Sequence, residues 1–215
     1  MAMMNPPESE TLETLASARS VFRGVLEKIT EADWGLPTPC EEWTVRDVVD
    51  HVIVAEAAVL PMLGIAQAGP PPEQGDPMAS WSALAATADD AFAKPGALEA
   101  PVEHPYVGQI TGHRLAWFRI GDNVLHGWDL ARAIGADDSL PPGLVTTLYE
   151  RAVEAETRPA DTGLFAPPPE LPADADPQSR LLAHFGRSPS WRAQRATARG
   201  GAAQPANVGR STETS

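Results

Sequence analysis

In the stretch Arg119-Ile120-Gly121-Asp122-Asn123-Val124-Leu125-His126-Gly127-Trp128-Asp129, an aspartate and a histidine stand four residues apart. On a helix these positions share a face, with Cβ atoms about 5–6 Å apart. A carboxylate and an imidazole so placed can share a divalent metal if a third ligand comes from another helix. The apolar neighbours Val124, Leu125 and Trp128 turn His126 inward, where an imidazole beside a carboxylate needs a partner. His51, on an earlier amphipathic segment at residues 45–63, supplies the third ligand. The expected site is therefore His51, Asp122 and His126, three protein ligands with positions left open, which is the catalytic rather than the closed structural pattern. Blander readings stand beside it. A helical Asp–His pair is by itself worth only about 0.2–0.5 kcal/mol, and a lone histidine on an apolar face is more often a hydrogen-bonded core residue.

The other reactive residues have weaker patterns. Asp47 repeats the Asp-x-x-x-His spacing with His51, but Thr44 three residues earlier makes it the acid of a capping box, and capping is the role expected of it. Cys40 is the single cysteine. It reads either as a thiol at the mouth of the site, with a pKa lowered by a helix N-terminus, or, preferably, as a small buried hydrophobe. Trp43, Trp117 and Trp128 either line a pocket or anchor the core with satisfied indole N–H groups, the commoner case. Asp129 and Arg132 are spaced for a local ion pair that Arg119 is too distant to join; a role for Arg119 against an anionic substrate has no support in the sequence. Asp129 or Asp47 can orient an imidazole N–H from outside the ligand set. His104 and His113 flank an extended loop as solvated residues, and His184 with the turn Gly186-Arg187-Ser188-Pro189 reads as structural. No glycine-rich phosphate loop, nucleophile elbow or Cys-x-x-Cys pair occurs, which removes most nucleotide, hydrolase and zinc-ribbon chemistries.

The elements that must position these residues are helical. Apolar residues recur near a 3.6 period at residues 8–29, 45–63 and 77–92. The site-bearing helix spans 113–134 and is closed by Gly135 as its left-handed cap. Between them lie a proline-containing loop at 30–39, a break at Gly69-Pro70-Pro71-Pro72, and an extended stretch at 98–112 with a short hairpin around 105–108. A helix after Pro141-Pro142 and a short one at 178–184 follow, with an irregular stretch at 165–172. After Trp191 almost no large apolar residue remains, so the expectation is a disordered tail at 192–215 behind one domain at 8–191. Several amphipathic helices with little strand signal give an all-α fold, an antiparallel helical bundle.

Composition bounds the function. The chain has 215 residues, 43% hydrophobic and 21% charged, and a net charge of −13. Such acidity argues against nucleic-acid binding, which needs a basic footprint, and offers nothing to an anionic membrane surface. No apolar run reaches the roughly 18 residues of a membrane span, and the N-terminus lacks the pattern of a secretory signal. With one cysteine there is no internal disulfide. The expected location is the cytoplasm.

At the same residues the chain resembles a known family. Pro37-Thr38-Pro39-Cys40-Glu41-Glu42-Trp43-Thr44-Val45-Arg46-Asp47-Val48-Val49-Asp50-His51 is similar to the opening motif of the mycothiol-dependent maleylpyruvate isomerase-like proteins, within the DinB/YfiT-like metal-binding superfamily. The segment 122–135, with His126-Gly127-Trp128-Asp129-Leu130-Ala131-Arg132-Ala133 at its centre, is similar to that group's second motif, and 181–189 to its closing one. The resemblance covers residues 8–191. It implies a DinB/YfiT-like four-helix bundle of up-down-down-up connectivity, with short extra C-terminal helices. It also implies a divalent metal, zinc or in some relatives nickel, on His51, Asp122 and His126. Asp122 stands where the isomerase itself carries glutamate, and little room remains for that enzyme's additional α+β domain. The implied function is a metal-dependent enzyme using a low-molecular-weight thiol, mycothiol, as S-transferase or isomerase on a small electrophilic substrate. The alternative is a metal-binding bundle without thiol chemistry, a sensor or a biosynthetic accessory protein. A homodimer is kept open.

Overall fold

The computed structural model describes residues 6–66, 75–155 and 159–193. Within them the protein is mostly helical, with six α-helices, one short 3₁₀ turn and one two-stranded sheet. α1, Glu8–Leu26, buries Leu15, Ala18, Phe22 and Val25 along one stripe. It ends three residues before the 29 expected from periodicity. There the amides of Lys28 and Ile29 bond back to Val25 and Leu26 in tight i−3 turns. α2, Val45–Met62, begins at the expected capping box: the Thr44 hydroxyl accepts from the Asp47 amide, and the Asp47 carboxylate accepts from the Thr44 amide. α3, Pro77–Phe92, starts on an Asp76 cap with proline in its first turn, where a missing N–H costs nothing.

The extended stretch forms the expected hairpin, β1 (Pro101–His104) antiparallel to β2 (Gly108–Thr111), with Val102 opposite Ile110 and both buried. This small sheet is a departure from a strictly all-α fold. β2 runs straight into α4, Gly112–Ile134, whose first turn is capped by the Thr111 hydroxyl. α4 stops at Gly135, whose φ of 71° is a conformation that glycine adopts without a Cβ penalty. α5, Pro142–Glu154, and α6, Pro177–His184, complete the described helices. Most of the tail expected at 192–215 lies outside the described residues.

α4 is the central element. It packs along α1 and crosses α2, which in turn packs on α3. One apolar cluster joins Leu15, Phe92, Leu115, Ile120, Val124, Trp128 and Leu181. The second joins Phe22, Val45, Val49, Val52, Trp81 and Leu130. α4 contributes to both, so its three middle turns, residues 119–129, are held from several sides. No described helix is long and apolar enough to cross a membrane.

Candidate metal centre

α2 and α4 bring the three expected ligands together. His51 Nε2 lies 3.4 Å from Asp122 Oδ1, and His126 Nε2 lies 3.5 Å from the same oxygen. One ligand atom from each residue falls within 4.8 Å of the other two. The imidazole rings meet edge to face, their centroids 5.0 Å apart. Exposure is graded: the side chain of His51 is 38% exposed, that of Asp122 20% and that of His126 8%. The site therefore opens to solvent on the His51 side.

Trp43 covers the two histidines. Its ring centroid is 4.9 Å from that of His51 and 6.0 Å from that of His126, nearly parallel to the latter. The loop before α2 is built to deliver it. The Thr38 amide and hydroxyl both donate to the Trp43 carbonyl, at 3.1 and 2.9 Å, and the Trp43 amide donates to the Cys40 carbonyl. Glu42 completes the turn at a φ of 65°, a left-handed conformation rare for residues other than glycine.

The outer atoms of two ligands are held as well. His126 Nδ1 lies 3.0 Å from Asp129 Oδ2. An ionised carboxylate only accepts, so Nδ1 carries a proton, and Nε2 faces Asp122 Oδ1. Asp129 is fully buried, and Arg187 holds it with Nη2 at 2.9 Å from Oδ2 and Nε at 3.4 Å from Oδ1. Burial pushes the Asp129 carboxyl up, but Arg187 and the His126 hydrogen bond more than reverse this and keep it below the usual carboxylate range. Burial likewise raises Asp122, and the Arg119 guanidinium, with both imidazoles, brings it well below that range.

Arg119 binds Asp122 Oδ2, leaving Oδ1 to face the histidines. Behind it sits Glu56, wholly buried. Glu56 Oε1 lies 3.6 Å from Arg119 Nε and accepts from Asn123 Nδ2 at 3.1 Å, and Oε2 accepts from Arg19 Nη2 at 3.0 Å. Arg19 continues to Asp89 at 2.9 Å. A chain of alternating charge thus runs from α3 through the core to Asp122.

Several expectations need correction. Asp129 does not pair with Arg132. Arg132 lies over the Trp128 ring and reaches Asp138 at 2.5 Å, while Asp129 turns inward to His126 and Arg187. Arg119 binds the Asp122 carboxylate. His113 is buried, with Nδ1 3.2 Å from the Thr11 hydroxyl, and His104 packs against Phe118. Trp117 and Trp128 are core residues, but their indole nitrogens have no hydrogen-bond partner. Cys40 is half-buried against the second cluster, as the bland reading had it. Its thiol pKa is pushed up to about 11 by burial, followed by the Asp129 charge, the opposite of an activated thiol. Glu56, Arg19 and Arg187 were missed as supports of the site. The first two sit at core positions of their own helices, a readable signal; Arg187 had none, since its partner Asp129 is 58 residues away.

Two imidazole nitrogens and one carboxylate oxygen form a donor set suited to zinc, nickel or iron. A carboxylate behind the more buried imidazole is what metal-binding histidines usually have. The residues present fit a divalent metal.

Residues 15–131 match the family described as the mycothiol maleylpyruvate isomerase N-terminal domain. Two uncharacterised proteins of Mycobacterium tuberculosis, MT0763 of strain CDC 1551 and Rv0738 of strain H37Rv, are each 33% identical over 177 residues, covering 80% of this chain and 94% of theirs. Among solved structures, a histidine-to-alanine mutant of the mycothiol-dependent maleylpyruvate isomerase superposes with a TM-score of 0.52 at 18% identity, over 70% of this chain and 72% of that one. At that identity the likeness establishes the fold alone.

Proposed function

Because the chain belongs to the family of the mycothiol maleylpyruvate isomerase N-terminal domain, we propose that it is a divalent-metal-dependent enzyme acting with a low-molecular-weight thiol, mycothiol, as S-transferase or isomerase on a small electrophile. In this reading α1–α4 are the up-down-down-up four-helix bundle of that family. The observation that carries the proposal is the meeting of His51, Asp122 and His126 ligand atoms within 4.8 Å. Zinc is the first candidate for the ion and nickel the second.

A bound divalent ion would favour the thiolate form of an added thiol at neutral pH. The protein's residues prepare for this in three ways. Asp129 keeps the proton of His126 on Nδ1, so Nε2 is free to ligate. Arg119 occupies one oxygen of Asp122 and presents the other. Trp43 shields both imidazole faces from water, while the more exposed His51 edge leaves a way in for the thiol. In this reading the nucleophilic sulfur is that of the added thiol, since burial pushes the thiol pKa of Cys40, the one cysteine, up to about 11. The external thiolate then forms a carbon–sulfur bond, either by adding to a conjugated double bond or by displacing a leaving group.

The test is metal content after purification without a chelating tag, in wild type, His51→Ala and His126→Ala. About one ion per chain in wild type, lost in both variants, is expected of a three-ligand site. His51 is the more exposed ligand, so its variant guards against a folding artefact. Cobalt-substituted protein should then develop a sulfur-to-metal charge-transfer band on adding mycothiol. Metal binding without such a band would favour a sensor or accessory role, and no metal after reconstitution with zinc or nickel would sink both readings.

A further inference from the structure

The family match ends at residue 131, yet one residue far beyond it holds Asp129, the hydrogen-bond partner of His126. We infer that Arg187 is a positioning residue of the metal centre, acting through Asp129 to fix the ring of His126. The inference rests on reading His51, Asp122 and His126 as a metal site.

Its geometry is specific. Arg187 is 7% exposed and Asp129 is fully buried. The guanidinium takes both carboxylate oxygens in a fork, Nη2 to Oδ2 at 2.9 Å and Nε to Oδ1 at 3.4 Å. Oδ2 is the oxygen that also accepts from His126 Nδ1. A forked pair fixes the plane of a carboxylate as well as its position. The direction of the shared oxygen, and with it the rotation of the imidazole, is therefore set by the arginine. Nη1 donates one further N–H to the Phe185 carbonyl at 3.0 Å.

The chain spends local structure on bringing Arg187 there. Gly186 turns at a φ of 74°, and a Cβ on it would come within 2.4 Å of the Ala166 carbonyl oxygen, so only glycine fits this turn. The Arg187 amide closes the turn on the Leu182 carbonyl at 2.9 Å. The guanidinium lies 5.7 Å from the Phe165 ring centroid. An arginine serving only to tether the C-terminal segment would need no oxygen shared with a ligand histidine.

The test compares Arg187→Met and Arg187→Lys with Arg132→Met. Arg132, on α4, is likewise ion-paired, but to Asp138 in the loop and to none of the three site residues. The first readout needs no metal: long-range proton–nitrogen spectra of the histidine rings in metal-free protein. Wild type and Arg132→Met should show His126 with its proton on Nδ1, and Arg187→Met should lose that single form. The second is zinc affinity by chelator competition. Loss of a ligand's outer partner weakens binding about 10–100-fold. Arg187→Met should fall in that range, Arg187→Lys between it and wild type, and Arg132→Met should match wild type. A folded Arg187→Met that keeps the Nδ1–H form and binds zinc within about twofold of wild type overturns the inference. Should the methionine variant not fold, Arg187→Lys decides, since lysine keeps the charge but not the fork. Wild type that takes up no zinc refutes the metal reading instead, and the ring spectra still answer for Arg187.

Discussion

Replacing Glu56 by leucine tests the buried charge chain directly. Glu56 is wholly buried and answers Arg19 at 3.0 Å, Asn123 at 3.1 Å and Arg119 at 3.6 Å. Removing one member of a buried pair costs about 3–5 kcal/mol, because the partner charge stays behind without compensation. The low end applies here. Arg19 keeps Asp89, whose side chain is 48% exposed, and Arg119 keeps Asp122. A loss of about 3 kcal/mol lowers Tm by about 6–12 °C in a chain of this size. The double variant Arg19→Met/Glu56→Leu removes both charges, leaves Asp89 to solvent and fills the space with apolar atoms. It should sit closer to wild type than Glu56→Leu does, since apolar replacement of a whole buried pair is often neutral or stabilising. Urea unfolding of wild type, both singles and the double gives the coupling energy, expected to be at least about 1 kcal/mol. Glu56→Leu within about 0.5 kcal/mol of wild type, as for an ordinary surface change, or strict additivity of the two singles, would refute this account.

Further outcomes follow from other contacts. Thr44→Ala removes the hydroxyl that caps α2 and should cost about 1 kcal/mol in the same urea titration; no loss would mean that packing alone fixes the helix start. Cys40, with its thiol pKa near 11, should be alkylated by iodoacetamide at pH 7.5 far more slowly than in the urea-unfolded chain, with a rate still climbing above pH 9. Rapid labelling of the folded protein would contradict that placement. The Asp129 carboxyl is depressed in the fold. A depressed carboxyl contributes stability that is fully present above its unfolded value of about 3.9 and is lost as pH falls toward the folded value. The stability gap between wild type and Asp129→Asn should therefore narrow below about pH 4. A gap that widens there would show the sign to be wrong.

The convergence of His51, Asp122 and His126 was legible because these residues obey local rules. Asp122 and His126 share a helix face by spacing alone, and the Thr44–Asp47 box fixed where α2 begins and so which way His51 points. Gly135 marked the end of α4. The supporting charges were harder for a physical reason. Their partners come from other helices, and periodicity reports only which face of a helix is buried. Even so, Glu56 falls four residues after the buried Val52, and Arg19 lies between the buried Leu15 and Phe22. Opposite charges on two buried stripes must find each other, because neither can stay unpaired in the core. That signal was available for Arg19 and Glu56. It was absent for Arg187, in a short turn with no periodic pattern, and the Asp129–Arg132 spacing pointed instead to a local pair that the burial of Asp129 rules out.

The same charges bear on why the centre would take a cation and then an anionic sulfur. Three arginines, Arg19, Arg119 and Arg187, face four carboxylates, Glu56, Asp89, Asp122 and Asp129. The nearest acid of Arg119 is Asp122, Arg187 takes Asp129, and Arg19 is shared between Glu56 and Asp89. The excess negative charge of the cluster therefore lies toward its Glu56–Asp89 end, while Asp122, held by Arg119, keeps Oδ1 turned to both imidazoles. One carboxylate oxygen beside two imidazole nitrogens favours a divalent cation without a second carboxylate ligand. The filled site would carry a net positive charge, which favours a thiolate over a neutral thiol as the next ligand. Arg187→Met loosens the hold on Asp129 and through it the His126 ring. The ring spectra of the metal-free protein report that loss of orientation by itself, and the weaker zinc affinity reports what the loss does to the filled site.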